Sequence, residues 1–109
     1  MDVRTYIYFY NEDIRYFGPG PYELLLLIKE TGSLKKASIQ MNMSYSKALK
    51  LISTAESSLG FPLTQKKIGG KQGGGSILTK EAEEFIKKYQ EYKEACDEHN
   101  RQLYLQYFY

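Results

Sequence analysis

The N-terminal residues alternate between two chemical faces. Val3, Ile7 and Phe9 fall on one face, and Arg4, Tyr6, Tyr8 and Tyr10 fall on the other. A period of two is typical of a half-buried strand, so the pattern predicts a strand from Val3 to Tyr10. Asn11-Glu12-Asp13 has the composition of a turn, and Ile14 to Phe17 can return as a second strand. The chain therefore opens with a predicted β-hairpin.

A proline and a glycine bound the next predicted element. Pro21 suits the first position of a helix, Glu23 favours the positive end of the helix dipole, and Gly32 can end the helix after Thr31. The apolar run from 24 to 28 is also compatible with a buried strand. The two bounds and a length of about eleven residues favour a buried helix instead.

Two capped helices follow. Ser33 can cap a short helix that ends near Met41, and Ser44 can cap a longer helix that Gly60 closes. The inward stripe predicted for the longer helix consists of Tyr45, Ala48, Leu49, Ile52, Ala55 and Leu59. Its opposite face has only hydrogen-bond donors, which are Ser46, Lys47, Lys50 and Thr54. This pair of helices has the pattern of a helix-turn-helix.

A second hairpin and a long helix complete the chain. The strands of the hairpin are predicted at 63–68 and 76–78, and the loop between them, 69–75, has five of the nine glycines. Thr79 can cap a last helix of about 25 to 30 residues that runs toward Tyr109. We therefore expect a mostly α fold with small β hairpins. The predicted architecture is a winged helix-turn-helix. Residues 1–78 form the N-terminal hairpin and the winged helix-turn-helix, and residues 79–109 form a C-terminal dimerisation helix. Together they are predicted to be a single domain.

Length and composition narrow the functional classes. A chain of 109 residues can bury one core and is too short for a multidomain enzyme. Its single cysteine, Cys96, cannot form an intrachain disulfide, and no signal peptide or membrane-length apolar run is present, so we expect a cytoplasmic protein with no membrane partner. One histidine and one cysteine supply neither a catalytic triad nor a zinc site. We expect no enzyme activity, no cofactor and no metal.

The net charge of the whole chain is close to zero, but the charges are unevenly distributed along it. The net charge is +2, but residues 33–76 hold seven lysines against one glutamate, a net charge of +6, while 1–32 and 77–109 are each −2. A basic block between acidic flanks favours a polyanionic partner, although solvated lysines are also common on protein surfaces.

The pattern places a set of candidate DNA contacts in this basic block. The capped end of the third helix can enter the major groove, and the glycine-tipped hairpin can hold an adjacent phosphate strand or minor groove. The predicted contacts are Ser33, Lys35, Lys36, Ser44, Tyr45, Ser46, Lys47, Lys50, Lys66, Lys67, Lys71 and Gln72. The alternative is that the serines are only caps and the lysines only solvate the surface. The proposed partner is double-stranded DNA.

The same segments resemble a known family. Phe17-Gly18-Pro19-Gly20, Glu30-Thr31-Gly32-Ser33-Leu34, Ala37, Met43-Ser44-Tyr45 and Gly69-Gly70-Lys71-Gln72-Gly73-Gly74-Gly75 with Leu78-Thr79 are similar to the DNA-binding domain of ModE regulators. These molybdate-responsive bacterial transcription regulators share their winged-helix type with LysR regulators. The resemblance covers about residues 3 to 90 and implies dimeric binding to palindromic operator DNA, with the third helix as the reader.

Two departures from the family pattern limit what the resemblance implies. ModE proteins have molybdate-binding domains after the DNA-binding part, whereas this chain stops at Tyr109, so we expect no oxyanion sensor in it. A separate effector-sensing protein would then supply the signal. The family's third helix usually has a basic pair and a Trp after Ser-Tyr, where this chain has Ser46-Lys47-Ala48-Leu49. Base preference and target genes are therefore expected to differ.

The last helix has a seam typical of a coiled coil. Its members are Phe85, Tyr89, Tyr92, Cys96, His99 and Leu103, at spacings of four and three. This spacing predicts a homodimer, and Cys96 is most simply a small buried group within the seam. The alternative, that the stripe packs on its own domain, fits Phe85 and Ile86 better than the distal turns.

The aromatic C-terminus leaves a second functional reading open. Tyr104, Tyr107, Phe108 and Tyr109 are too apolar for a free tail and are candidates to cover the Tyr6, Tyr8 and Tyr10 face of the same or a partner subunit. A winged-helix protein-interaction module that uses this aromatic helix is therefore the alternative to a DNA-binding regulator.

Overall fold

Four helices and two hairpins make up the described chain. The computed structural model describes residues 1–67 and 75–109. The elements are β1 (Phe9–Asn11), β2 (Ile14–Phe17), α1 (Pro19–Thr31), α2 (Leu34–Gln40), α3 (Tyr45–Leu59), β3 (Thr64–Lys67), β4 (Gly75–Leu78) and α4 (Lys80–Phe108). β1 pairs with β2 and β3 with β4, both antiparallel. The predicted fold class, mostly helical with two small hairpins, is confirmed.

The first strand is shorter than predicted. Only Phe9–Asn11 pairs with β2, because the chain turns into α1 after Phe17 and provides no strand opposite residues 3–8. The predicted alternation persists in the burial of these residues. Here the extended segment lies along α4: the Tyr89 hydroxyl donates to the Ile7 carbonyl oxygen at 2.8 Å, and Asn100 Nδ2 donates to Thr5 Oγ1 at 2.8 Å.

An aromatic cluster joins the N-terminal hairpin to α4. The ring of Phe17 is fully buried and packs edge-on against Phe85 and Tyr89, with centroids 4.7 and 4.9 Å away. Phe9 contributes a further edge-on contact with Tyr89 at 5.4 Å. Aliphatic and small side chains from all four helices, β4 and the α3–β3 connection extend this core, namely Leu24, Leu25, Ile28, Leu34, Ala37, Ala48, Ile52, Ala55, Leu63, Leu78, Ala82 and Ile86.

The ends of α1 differ slightly from the predicted ones. The helix begins at Pro19, so Glu23 lies beyond the first turn. It ends as predicted at Gly32, whose φ of 72° lies in the left-handed region that glycine adopts without strain. The Gly32 N–H donates to the Ile28 carbonyl oxygen at 2.8 Å and satisfies one of the last carbonyls of the helix.

The inward face of α3 is narrower than predicted. Ala48, Ile52 and Ala55 are buried, but Tyr45 and Leu49 expose 50% and 44% of their surface. Leu49 follows Ala48 and is therefore turned by about 100° from it around the helix. Tyr45 is the first residue of α3 and lies ahead of its first buried side chain. The two residues belong to the exposed surface of α3.

Hydrogen bonds fix the base of the second hairpin. Lys67 pairs with Gly75, and the intervening residues of the predicted loop lie outside the described part of the chain. The Ser76 N–H donates to the Gly32 carbonyl oxygen at 2.9 Å, and Thr79 Oγ1 donates to the Pro62 carbonyl oxygen at 2.7 Å. The hairpin is therefore tied near its loop to the residue that follows α1, and at its open end to the connection that follows α3.

The distal part of α4 projects from the core. The helix has 29 residues, which corresponds to about 43 Å. Its last buried residue is Tyr89, and the following turns reach Phe108. The radius of gyration is 16.3 Å, compared with about 13 Å for a compact domain of 100 residues. The chain is therefore elongated along its last helix.

Replacement of Tyr89 by Phe tests the contact between α4 and the N-terminal segment. Loss of the hydrogen bond to Ile7 should lower the free energy of unfolding by about 1 kcal/mol. The pKa of Tyr89 is raised above its ordinary value of 10.0. The larger cause is burial, and the smaller cause is the proximity of the Tyr8 and Tyr22 hydroxyls. Since the folded chain then holds this proton more tightly than the unfolded chain, stability should fall as pH rises above about 10.

Urea unfolding of the wild type and Tyr89→Phe between pH 8 and 11 measures both effects. The variant should be less stable than the wild type at pH 8. Between pH 8 and pH 11, its free energy of unfolding should fall by less than that of the wild type. Tyr45→Phe, which removes the hydroxyl of an exposed tyrosine, is the matched control and should follow the wild type. An equal alkaline loss in the wild type and Tyr89→Phe would contradict the assignment.

Candidate nucleic-acid interface

A tight turn joins α2 to α3. Asn42 adopts a left-handed conformation with φ of 55°, which asparagine tolerates better than most residues. The Met43 N–H donates to the Ser38 carbonyl oxygen at 3.0 Å, and the Met41 N–H donates to the Ala37 carbonyl oxygen at 3.1 Å. These bonds fix the connection between the two helices, as expected for a helix-turn-helix.

Both helices are capped as the sequence predicts. Ser33 Oγ accepts from the Lys36 N–H at 3.1 Å, and Ser44 Oγ accepts from the Lys47 N–H at 3.0 Å. The two hydroxyl oxygens thus satisfy backbone donors at the helix starts. The cap on α3 leaves the exposed side chains of Tyr45 and Ser46 in its first turn, at the positive end of the helix dipole.

Six of the predicted lysine contacts are exposed in the described chain. They are Lys35 and Lys36 in the first turn of α2, Lys47 and Lys50 on α3, and Lys66 and Lys67 on β3. Lys47 and Lys50 are three residues apart and therefore neighbours on one helical face. Lys67 pairs with Gly75, and a Cβ on Gly75 would come within 3.0 Å of the Gly32 carbonyl oxygen. The loop end of the described hairpin thus adjoins the start of α2.

No carboxylate neutralises these lysines within the described residues. The ion pairs found there join Lys29 to Glu83, Lys93 to Asp97, and Arg101 to Glu98. Glu56, the only acidic residue of the basic block, accepts the Leu63 N–H through Oε2 at 2.7 Å. Its carboxylate holds the connection after α3, and the six lysines present uncompensated positive charge.

Two predicted contacts cannot be placed. Lys71 and Gln72 lie outside the described residues, as does most of the glycine-rich loop. Ser33 and Ser44 are helix caps in the structure, and their contact with DNA stays a prediction.

The predicted seam on α4 divides into two parts. Tyr89 is only 2% exposed and Phe85 packs against the core of its own chain, so neither is available for a seam between two copies. The prediction for Tyr89 was wrong because the N-terminal hairpin covers this turn of α4. Tyr92 and Leu103 remain 52% and 38% exposed. Cys96 is half-buried and His99 is exposed, so the distal seam consists of Tyr92, Cys96, His99 and Leu103.

The C-terminal aromatic residues do not cover the N-terminal tyrosines of the same chain. Tyr107, Phe108 and Tyr109 are each at least 67% exposed. Tyr104 pairs with Phe108 and Tyr109, with ring centroids 5.6 Å apart in both cases. Within one chain, the tail therefore remains an exposed apolar surface.

Sequence reasoning missed a further basic residue next to α3. Arg15, on β2, lies with its guanidinium 4.5 Å from the centroid of the Tyr8 ring, and its Nε donates to the Tyr10 hydroxyl at 3.2 Å. It lines the same groove as Lys47 and Lys50. A single arginine on a short strand has no spacing signal that points to a helix thirty residues later, so its place beside α3 could not be predicted from the sequence.

In residues 1–67 and 75–109, no group of three or more His, Cys, Asp or Glu side chains is arranged to hold a metal ion. Across the same residues, no helix is both long and apolar enough to span a bilayer.

The fold is that of a winged-helix domain. The crystal structure of the CbnR DNA-binding domain in complex with DNA matches 80% of this chain and 94% of that domain, with a TM-score of 0.61 and 15% sequence identity. This likeness establishes the architecture.

A sequence relative is found among bacterial proteins. The molybdenum-pterin-binding protein MopB of Rhodobacter capsulatus is 35% identical over 66 residues, which are 61% of this chain and 24% of MopB. The chain thus matches about a quarter of that protein's length. No protein-family model matches the chain. The resemblance to the ModE family itself stays a prediction.

The Ser44 cap can be tested apart from any ligand. Ser44→Ala should lower the free energy of unfolding by about 1 kcal/mol, because the Lys47 N–H loses its acceptor. Ser46→Ala removes an exposed hydroxyl two residues later and should change stability by less than about 0.5 kcal/mol. Urea unfolding monitored by circular dichroism compares the two variants. Equal stabilities would contradict the capping role.

Proposed function

We propose that this chain is a sequence-specific DNA-binding transcriptional regulator that binds palindromic operator DNA as a homodimer. The observation that carries the proposal is the exposed, capped start of α3, with Lys47 and Lys50 unpaired by any carboxylate of the described residues. Phosphate groups are the complementary partner for such a surface, and the fold shared with a DNA-bound domain supports the same ligand.

The start of α3 is the proposed reader of sequence. Its first turn enters the major groove, where Tyr45 and Ser46 reach base edges or the sugar-phosphate backbone. Lys47 and Lys50 contact phosphates or guanine edges. Ser33 and Ser44, at the starts of α2 and α3, belong to the same proposed contact surface.

The second hairpin is the proposed wing. Lys66 and Lys67 lie on its first strand, and Lys71 and Gln72 belong to its tip in the sequence. Together with Lys35 and Lys36 at the start of α2, they would hold phosphates on either side of the groove read by α3. These contacts position the protein and are independent of base sequence.

A second copy of the chain is the proposed partner of distal α4. Tyr92, Cys96, His99 and Leu103 follow one stripe of the helix, and Tyr92 and Leu103 are 52% and 38% exposed in the single chain. Pairing two copies would bury this stripe and place two α3 helices on one DNA duplex. A two-fold dimer requires an operator of matching palindromic symmetry.

The proposal includes a cytoplasmic location and a separate source of the regulatory signal. A DNA-binding regulator acts where the DNA is, and the single cysteine makes no demand for an oxidising compartment. A separate effector-sensing protein would supply the signal that molybdate-binding domains supply in the ModE family. The proposed role requires no catalytic residue.

The double variant Lys47→Ala/Lys50→Ala tests the DNA-binding surface. Its affinity for any duplex should fall, and the slope of log K against log salt should become shallower by about 3.6, because two phosphate contacts are lost in each subunit of the dimer. Fluorescence anisotropy of a labelled duplex at several salt concentrations gives both values. Lys87→Ala/Lys88→Ala removes the same charge from exposed positions on α4 and should leave the slope unchanged.

Two outcomes would contradict the proposal. One is wild-type binding that does not depend on salt. The other is an equal change in slope for the α3 and α4 double variants, since a general charge effect and not a defined surface would then govern binding.

The dimer is tested by a matched pair of leucines. Leu103 on distal α4 and Leu26 on α1 are 38% and 39% exposed. Leu103→Asp should shift the protein toward monomer in sedimentation velocity, because a carboxylate would have to be desolvated in the interface. Leu26→Asp should keep the wild-type distribution. A monomeric wild type, or equal dissociation by both variants, would contradict the interface.

A protein-interaction module is the second candidate function. The exposed Tyr107, Phe108 and Tyr109 favour it, since exposed apolar clusters of this kind often mark interaction sites. Affinity capture would then recover a partner protein through the tail, and the α3 lysine substitutions would not weaken that capture. Salt-dependent duplex binding that survives removal of 107–109 would favour the regulator instead.

A further inference from the structure

Residues of the N-terminal hairpin, the start of α1 and α3 line a groove. It has a volume of about 750 Å³. Its apolar lining includes Ile14, Phe17, Met43 and Leu51. We propose that this groove binds a small aromatic carboxylate, and that the bound ligand competes with DNA for Lys47 and Lys50. The binding step stands by itself, whereas the competition rests on the proposed function.

The size and lining of the groove suit a small organic ligand. Binding sites for such ligands typically have about 300 to 1,000 Å³ and are mostly apolar, with a few polar groups that orient the ligand. Exposed Ile14 on β2 and half-buried Leu51 on α3 both contribute apolar surface to the groove. A DNA phosphate would make no use of these apolar walls, but an aromatic ring would.

The charged groups of the groove favour an anion. Arg15 lies on the hairpin side, and Lys47 and Lys50 lie on the α3 side. No Asp or Glu is among the described residues that line the groove. A carboxylate would thus meet cations from two walls, and charge-assisted hydrogen bonds to arginine and lysine are stronger than neutral ones.

The start of α1 also favours an anionic ligand in the groove. Gly18, Gly20 and Pro21 line the groove. Gly18 provides no side-chain cap for α1, and the first turn of the helix has no acidic residue. The positive end of the helix dipole therefore remains uncompensated by a side chain and acts in the same direction as the three cations.

Aromatic rings in the groove specify the other half of the ligand. The exposed ring of Tyr8 and the half-buried ring of Tyr16 line it. Arg15 already lies over the Tyr8 ring, which orients its guanidinium beside an aromatic surface. A ring seated between these side chains and Leu51 would direct its carboxylate toward the cations.

Competition follows from the shared lysines. Lys47 and Lys50 lie on the exposed face proposed to contact DNA and also line the groove. A bound carboxylate would neutralise part of their charge and hold their side chains toward the hairpin. DNA and ligand would then each lower the apparent affinity of the other, as linkage requires.

Titration of the ¹⁵N-labelled full chain with 2-naphthoate tests the binding step by two-dimensional NMR. Saturable shifts should occur at residues lining the groove. The neutral analogue 2-naphthamide should bind about tenfold or more weakly, because it lacks the charge-assisted hydrogen bonds. Arg15→Gln should weaken naphthoate binding by a similar factor, whereas Arg4→Gln, on the same extended N-terminal region but outside the groove, should have no effect.

A second variant fills the groove and leaves its charges in place. Thr54, which is half-buried at the groove wall, is replaced by Trp, and a wild-type melting temperature shows that the variant folds. Thr54→Trp should abolish the naphthoate shifts at the groove. Shifts confined to the aromatic tail of α4, equal binding of the amide and carboxylate, or undiminished binding by Arg15→Gln would each overturn the site.

Anisotropy of a labelled duplex with added 2-naphthoate tests the competition. The apparent Kd for DNA should rise with naphthoate for the wild type and stay constant for Thr54→Trp. Naphthoate binding with no effect on DNA affinity would overturn the competition alone. If no duplex binds the wild type, the proposed DNA-binding function and the competition both fail, while the NMR titration still decides whether the groove binds the carboxylate.

Discussion

The packing of Phe17 against Phe85 and Tyr89 determines how the parts of this molecule are arranged. Phe17 ends β2, directly before the Gly18-Pro19 step into α1, and its buried ring meets two residues of α4 at 4.7 and 4.9 Å. Each edge-on aromatic pair contributes about 0.5–1.5 kcal/mol beyond the burial of its surface. The contact therefore fixes the hairpin, the start of α1 and the base of α4 with respect to one another.

This arrangement has consequences for both sides of the molecule. On one side, β2 is held next to α3, and Arg15, Lys47 and Lys50 line the groove at this place. On the other side, Tyr89 is buried, so the projecting part of α4 begins after it. The same aromatic cluster thus separates the surface proposed for DNA from the surface proposed for the second copy.

Small side chains and hydrogen bonds complete the support of α3. Ala48, Ile52 and Ala55 bring one narrow face of the helix to the core, and the polar face is left to solvent. Glu56 holds the backbone after α3 through the Leu63 N–H, and Thr79 ties the start of α4 to Pro62. Because the acidic residue of the basic block is used in this structural contact, the positive charge of the block stays available for a ligand.

Local signals in the sequence were sufficient to predict most helices and strands, but they were insufficient to predict the contacts between these elements. Ser33, Ser44 and Thr79 marked three helix starts because a cap depends only on a hydroxyl three residues before its donor. Alternation at 3–10 correctly indicated which side chains are half-buried, but strand pairing also needs a partner strand, and the chain turns away after Phe17.

The candidate site shows the same division between local and tertiary information. The exposed lysines of α2 and α3 could be predicted from helical periodicity, since their positions are set by the helix itself. The burial of Tyr89 and the place of Arg15 beside α3 depend on how distant segments pack, which a spacing of four and three cannot express. Lys71 and Gln72 lie outside the described residues, so their role rests on the sequence alone.

The central claim is that the start of α3 reads DNA sequence within a two-fold dimer. Selection of bound duplexes from a random pool by the full chain, followed by sequencing, tests it most directly. We predict enrichment of two inverted half-sites separated by about one helical turn, 10–10.5 base pairs from centre to centre, or a multiple of it. A pool that remains random after repeated rounds, or one enriched only in unrelated single sites, would contradict the claim.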